Sequence, residues 1–138
     1  MKLLTFIAFL TISLNGQLPI STKVQQQLDG TWLPIRQEIN GEQIPDKFLS
    51  IQKLILSGND FSMTAESTDK GKFDYEERKM DIYVKEGANA GKHFTAIYKL
   101  ENDLLTICYN LGGDSYPEAF DTSNQPLFFM SVFKRSTE

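Results

Sequence analysis

Nucleophilic or acid–base chemistry in this chain would have to pass through two residues, because His93 is the only histidine and Cys108 the only cysteine. A Cys–His pair needs thiol and imidazole within hydrogen-bond reach, with a third group to orient the base. Here the two lie on segments that read as different strands, and alternation puts Cys108 on the face opposite Leu105 and Ile107. We therefore read His93 as a polar residue at a strand start and Cys108 as a small packed side chain. Zinc would want three or four clustered His, Cys or carboxylate ligands, and the sequence does not offer them. The carboxylate groups Asp74-Glu76-Glu77 and Asp114-Glu118-Asp121 read as solvated loops. The second set matches no EF-hand spacing, which leaves only an irregular calcium site open. Lys70-Gly71-Lys72 and Gly112-Gly113 lack the strand–loop–helix setting of a phosphate cradle and read as turns. These residues argue against an enzyme and call for neither cofactor nor metal.

The aromatic residues are more informative, with ten Phe, five Tyr and one Trp. They recur at period two through a series of short segments. Thr31 to Ile39 runs extended into Asn40-Gly41, a strong hairpin signal. Pro45 sits where a first helical turn tolerates it, so Ile44 to Leu49 reads as one turn of helix or 3₁₀. Strands follow at Ile51 to Leu56 and Phe61 to Glu66, separated by Gly58-Asn59. Thr68-Asp69-Lys70-Gly71 reads as a turn into Lys72 to Tyr75. Met80 to Lys85 alternates, and Gly87 to Gly91 is a small-residue loop. The segments from His93 to Leu100 and Leu104 to Asn110 are joined at Asn102-Asp103. Leu111 to Gln125 is mostly loop, with a short strand expected at Glu118 to Phe120. The last strand, Leu127 to Lys134, is apolar on both faces. Eight or nine short strands with turns every 8 to 12 residues predict an all-β fold. Tight turns between neighbours favour an up-and-down antiparallel barrel of about eight strands, which leaves no exposed edges.

The chain has 138 residues. Met1-Lys2 followed by the apolar run Leu3 to Leu14 and then Asn15-Gly16 has the layout of a secretory signal peptide. The run is shorter than the roughly 20 residues of a membrane span. We expect residues 1–16 to be removed on export, to periplasm or medium, and residues 17–138 to form one domain. Ser21 to Leu28 reads as a short N-terminal helix capped by Ser21 or Thr22, with a disordered leader as the equal alternative. Of the 14 basic residues Lys2 is lost with the leader, leaving an acidic chain against the 18 Asp and Glu. Such a balance speaks against nucleic acid as a partner. A lone cysteine makes no internal disulfide, so the exported domain must be held by its core.

The order Leu28-Asp29-Gly30-Thr31-Trp32, Asn40-Gly41, Pro45, Gly58-Asn59-Asp60-Phe61 and Lys70-Gly71-Lys72-Phe73 continues through Met80-Asp81-Ile82, Gly87 and Gly91-Lys92. It ends with Ala96 to Leu100, Asp103 to Cys108, Pro117, Phe120 and Phe133-Lys134-Arg135. From Leu28 to Arg135 this resembles the bacterial lipocalin-like domain family first described from planctomycetes, whose members are mostly uncharacterised. The resemblance implies a calycin-like barrel in which a Gly-x-Trp opens the first strand and a late basic residue covers the indole. Gly30, Trp32 and Arg135 match those structural roles. The family supplies no catalytic residues and no established ligand. Leu33-Pro34 departs from its pattern, and a proline so early in the strand predicts an irregular or bulged edge.

Closure of the barrel would turn Phe61, Phe73, Ile82, Phe94, Tyr98, Ile107 and Tyr109 inward, together with Met63 and Tyr75. An eight-stranded barrel either packs solid or holds one small ligand, and inward tyrosines favour a pocket because a buried hydroxyl seeks a partner. Those seven residues are the candidate ligand site, for a small apolar or amphipathic molecule. The competing reading is a protein-interaction module, an inhibitor or toxin-neutralising partner, that works through its outer surface and loops.

Overall fold

The computed structural model describes residues 27–137. The expected signal peptide lies outside these residues, as does the expected helix from Ser21 to Leu28 except at Gln27 and Leu28. The strands are β1 (Gly30–Ile39), β2 (Glu42–Gln43), β3 (Lys53–Ser57), β4 (Asp60–Thr64), β5 (Thr68–Glu76), β6 (Lys79–Glu86), β7 (His93–Glu101), β8 (Leu104–Asn110) and β9 (Phe128–Arg135), with one 3₁₀ turn at Asp46–Phe48. All pairings are antiparallel. β3 to β9 pair in sequence order, and β1 pairs with both β3 and β9. The result is a closed eight-strand antiparallel barrel, with β2 as a short ribbon on the end of β1.

Its turns follow from local chemistry. Asn40 and Gly41 both take positive φ (49° and 78°), as do Asn102 and Asp103 (52° and 62°). That is the backbone of a two-residue hairpin turn, and Asn, Asp and Gly adopt it at least cost. The pairing of β1 with β9 slips between Pro34 and Arg36, the bulge expected where proline cannot donate to the ladder. Beyond Trp32 and Leu54 β1 and β3 part, and side chains bridge the gap. Gln37 Nε2 donates to Gln52 Oε1 at 2.7 Å, and Gln52 Nε2 donates back to Gln37 Oε1 at 3.0 Å. Gln37 Nε2 also donates to Ser131 Oγ at 3.1 Å, so a buried amide and hydroxyl are satisfied where a backbone ladder is missing.

Two strand expectations are corrected. Thr68 to Gly71 is the beginning of β5, and the connection from β4 lies at residues 65–67. Gly71 does not turn the chain; its ladder slips by one residue against β6. A Cβ there would fall 2.0 Å from the Tyr83 carbonyl oxygen and 3.0 Å from the Phe61 ring. Glycine marks a close approach of strands rather than a bend. Glu118 to Phe120 forms no strand. Instead residues 111–127 fold back over the outer wall as a strap. Thr95 Oγ1 donates to Ser115 O at 2.5 Å, Asn110 Nδ2 to Asp114 Oδ1 at 2.8 Å, and Gly41 N to Thr122 Oγ1 at 2.9 Å. Thr95, Ile97, Thr106, Cys108 and Asn110, on the outer face by alternation, are consequently buried. The doubly apolar β9 places Phe129, Ser131 and Phe133 inside, and on its outer face Phe128, Met130 and Val132 are half-buried.

Alternate connections of an up-and-down barrel lie at opposite ends, and the two ends differ. One carries Leu28, Trp32, Leu105 and Phe133, all at 0 or 1% exposure. The Arg135 guanidinium lies over the Trp32 ring at 4.3 Å from its centroid, the cover expected for that indole. Arg135 Nη1 donates to Asp29 O at 2.8 Å and Nη2 donates to Gln27 O, while Trp32 Nε1 donates to Leu28 O at 2.8 Å. Gly30 makes this stacking fit: its φ is +141°, and a Cβ would sit 2.9 Å from Arg135 Nη1. Cation–π contact, indole donor and guanidinium donors are all engaged at once, so this end is closed.

Candidate functional site: the barrel cavity

At the opposite end the interior is hollow. A cavity of about 450 Å³ runs into the barrel, within the range of roughly 300 to 1,000 Å³ typical of small-molecule sites. Each strand from β3 to β9 supplies walls in steps of two or four: Leu54 and Leu56 from β3, Phe61 and Met63 from β4, Phe73 from β5, and Met80, Ile82 and Val84 from β6. Phe94 of β7, Ile107 and Tyr109 of β8, and Phe129 and Phe133 of β9 complete the ring. The registers Phe73 with Ile82 and Ile82 with Phe94 bring three of these side chains onto one continuous face. The core reaches the same face, so the floor of the cavity is the packed interior itself.

Of the seven residues expected in the site, Phe61, Phe73, Ile82, Phe94, Ile107 and Tyr109 line the cavity. Tyr98 does not. It lies two residues farther along β7 than Ala96, is buried in the core, and its hydroxyl donates to Glu76 O at 3.1 Å. Alternation told which face Tyr98 is on but not its depth, and depth decides between lining and filling. Burial raises its phenol pKa, with smaller contributions from Tyr75 and Glu77.

Tyr109 is the counterpart on the cavity side. Its ring stacks on Phe129 with centroids 5.7 Å apart. Burial pushes its phenol well above the ordinary tyrosine range, although by surface area the residue is only half-buried. The hydroxyl has no hydrogen-bond partner among the described residues.

The mouth is formed by Asp69 at the start of β5, Asn89 and Lys92 of the β6–β7 loop, and Leu111 and Leu127 at the two roots of the strap. Asn89 Nδ2 donates to Asp69 Oδ2 at 2.7 Å and its backbone N–H to Oδ1 at 3.4 Å, pinning the loop to β5. None of these five belonged to the expected site. Reading residues 68–71 as a turn removed Asp69 from any inward face, and periodicity says nothing about which loop residues reach a rim.

Elsewhere, the one histidine and the one cysteine of the sequence have separate surroundings. His93 Nε2 lies 2.7 Å from Asp81 Oδ1, and its ring stacks on Tyr83 at 4.7 Å. Tyr116 donates to the other oxygen of Asp81 at 2.6 Å, and that carboxylate pushes its phenol up to about 12. The trio ties the strap to β6 and β7. Cys108 lies under the strap, and burial raises its thiol to about 11. His93 and Cys108 therefore serve separate parts of the outer wall. Among the described residues no group of three or more His, Cys, Asp or Glu could hold a metal ion, the strap carboxylates included. No helix among them is long and apolar enough to cross a membrane. No protein-family model matches the chain, and no curated protein sequence matches it.

Proposed function

We propose that the protein is an exported, lipocalin-like binding protein whose barrel takes up a small apolar or amphipathic molecule. The observation that carries this reading is the cavity: about 450 Å³ of space between aliphatic and aromatic side chains, with Asp69, Asn89 and Lys92 at its mouth. Transfer of a molecule from water into such walls is favourable by roughly 25 cal/mol per Å² of apolar surface removed. Residues that could fill the space stand along its wall instead, while the opposite end is packed. Export rests on the layout of residues 1–16, and an intact mass of the exported protein is expected to show a terminus near Gln17.

Filling the cavity tests the reading. A neutral environment-sensitive probe such as N-phenyl-1-naphthylamine is titrated into wild type, Phe73→Trp and the milder Ile82→Phe. Probe enhancement in wild type that is lost in both variants, with far-UV circular dichroism unchanged, supports the cavity as the site. Undiminished enhancement in folded variants refutes it. The interaction-module reading has its own observation: Ile35, Phe48, Ile51 and Ile55 expose large apolar surface on β1, β3 and the connection between them. It gains ground if wild type binds no probe.

A further inference from the structure

We propose that the cavity selects a single-chain amphiphile with an anionic head, held at the mouth by Lys92 with its chain along Phe73, Ile82 and Ile107. The inference rests on the binding reading above and names the chemistry of the bound molecule. It begins from the polar groups in the cavity wall, which are Asp69, Asn89, Lys92 and Tyr109. Asp69 and Asn89 satisfy each other through two hydrogen bonds. A Cβ on Gly87 would come within 2.2 Å of Asp69 Oδ1, so the loop also closes over that carboxylate. The negative charge at the mouth is thereby engaged, and the positive charge is not.

Lys92 has no ion pair and no aromatic ring beneath its ammonium among the described residues. Of the other lysines, Lys72 pairs with Asp60, Lys79 lies over Tyr116, Lys85 over Tyr83 and Lys99 over Phe120, while Lys53, Lys70 and Lys134 share its lack of a partner among the described residues but do not line the cavity. Yet the backbone of Lys92 is held firmly. Its N–H donates to Asn89 O at 3.1 Å and its carbonyl accepts from Val84 N at 3.0 Å. A fixed backbone on the rim, a long aliphatic stem beside apolar wall and a free ammonium suit a head group that stays wet while its chain is buried. An alcohol head could accept a hydrogen bond from that ammonium but would gain no ion pair.

Displacement of the neutral probe by dodecanoate and by dodecanol, at pH 8 and low salt, tests this in wild type, Lys92→Gln, Lys92→Glu and the remote control Lys134→Gln. A rim ion pair contributes up to about 1 kcal/mol, or about fivefold in affinity. The dodecanoate-to-dodecanol affinity ratio is expected to fall about three- to fivefold in Lys92→Gln and further in Lys92→Glu. It should hold in Lys134→Gln, and salt should erode it in wild type. If both amphiphiles bind but the ratio is indifferent to Lys92, or moves equally in Lys134→Gln, the head-group inference fails and the cavity stands. If neither displaces the probe, the cavity reading fails and this inference with it.

Discussion

The two ends of the barrel use the same residue types to opposite effect. At the closed end Trp32, Arg135 and Tyr98 each have their polar atoms engaged, by Leu28 O, by Asp29 O and Gln27 O, and by Glu76 O respectively. At the open end Phe94, Tyr109 and Phe129 face a cavity, and Tyr109 and Lys92 have no partner among the described residues. Tyr98 fills where its hydroxyl finds a backbone acceptor, and Tyr109 lines where none is within reach among the described residues. The difference divides the barrel along its axis: one end is packed, and the other leaves apolar surface facing a cavity.

That division is easiest to break at the indole. Trp32→Ala is expected to cost about 3 to 5 kcal/mol, because it removes a fully buried ring and the platform of Arg135. Phe94→Ala, at a half-buried position on the cavity wall, is expected to cost about 1 kcal/mol. Urea denaturation of the two variants measures the contrast, and equal losses would show that the ends share the load.

The strap provides the next test. A thiol held at about 11 in the folded protein and 9.0 when free is protonated in both states at neutral pH. Between those values the unfolded state loses its proton first, so the stability tied to Cys108 is complete below about pH 9 and declines as pH rises towards 11. Wild type is expected to lose on the order of 1 to 3 kcal/mol across that window relative to Cys108→Ala. Thiol labelling of native protein should be slow at pH 8 and fast after unfolding. Parallel stability curves for the two proteins, or rapid native labelling, would mean that the strap does not seal the outer wall.

The smallest effect gives the sharpest comparison. Tyr98→Phe removes the donor to Glu76 O and is expected to cost about 1 kcal/mol. Tyr109→Phe removes a hydroxyl with no partner among the described residues, and stability is expected to stay within about 0.5 kcal/mol of wild type. A loss at Tyr109 as large as that at Tyr98 would reveal a partner for its hydroxyl and make the open end part of the scaffold.

Much of this molecule was determined by sequence alone, because the properties concerned are local. Period-two alternation sets which side chains share a face, so the inward direction of Phe61, Phe73, Ile82, Phe94, Tyr98, Ile107 and Tyr109 was legible residue by residue. Asn40-Gly41 and Asn102-Asp103 announced their turns through the backbone angles they tolerate, and Pro34 announced its bulge through the donor it lacks. Tertiary structure decided what depends on distance between segments far apart in the chain. Whether the aromatics fill or line could not be read from alternation, since Tyr98 and Tyr109 face the same interior at different depths. Gly71 carried the composition of a turn, but the approach of Phe61 and the Tyr83 carbonyl decided its role. The strap hid Thr95 and Asn110 on an outer face that periodicity marks as solvated, and it covers Cys108, which the sequence already read as packed. The mouth, with Asp69, Asn89 and Lys92, exists only because closure brings β5 and two loops to one end. A face is a property of a strand, whereas a cavity is a property of the closed ring.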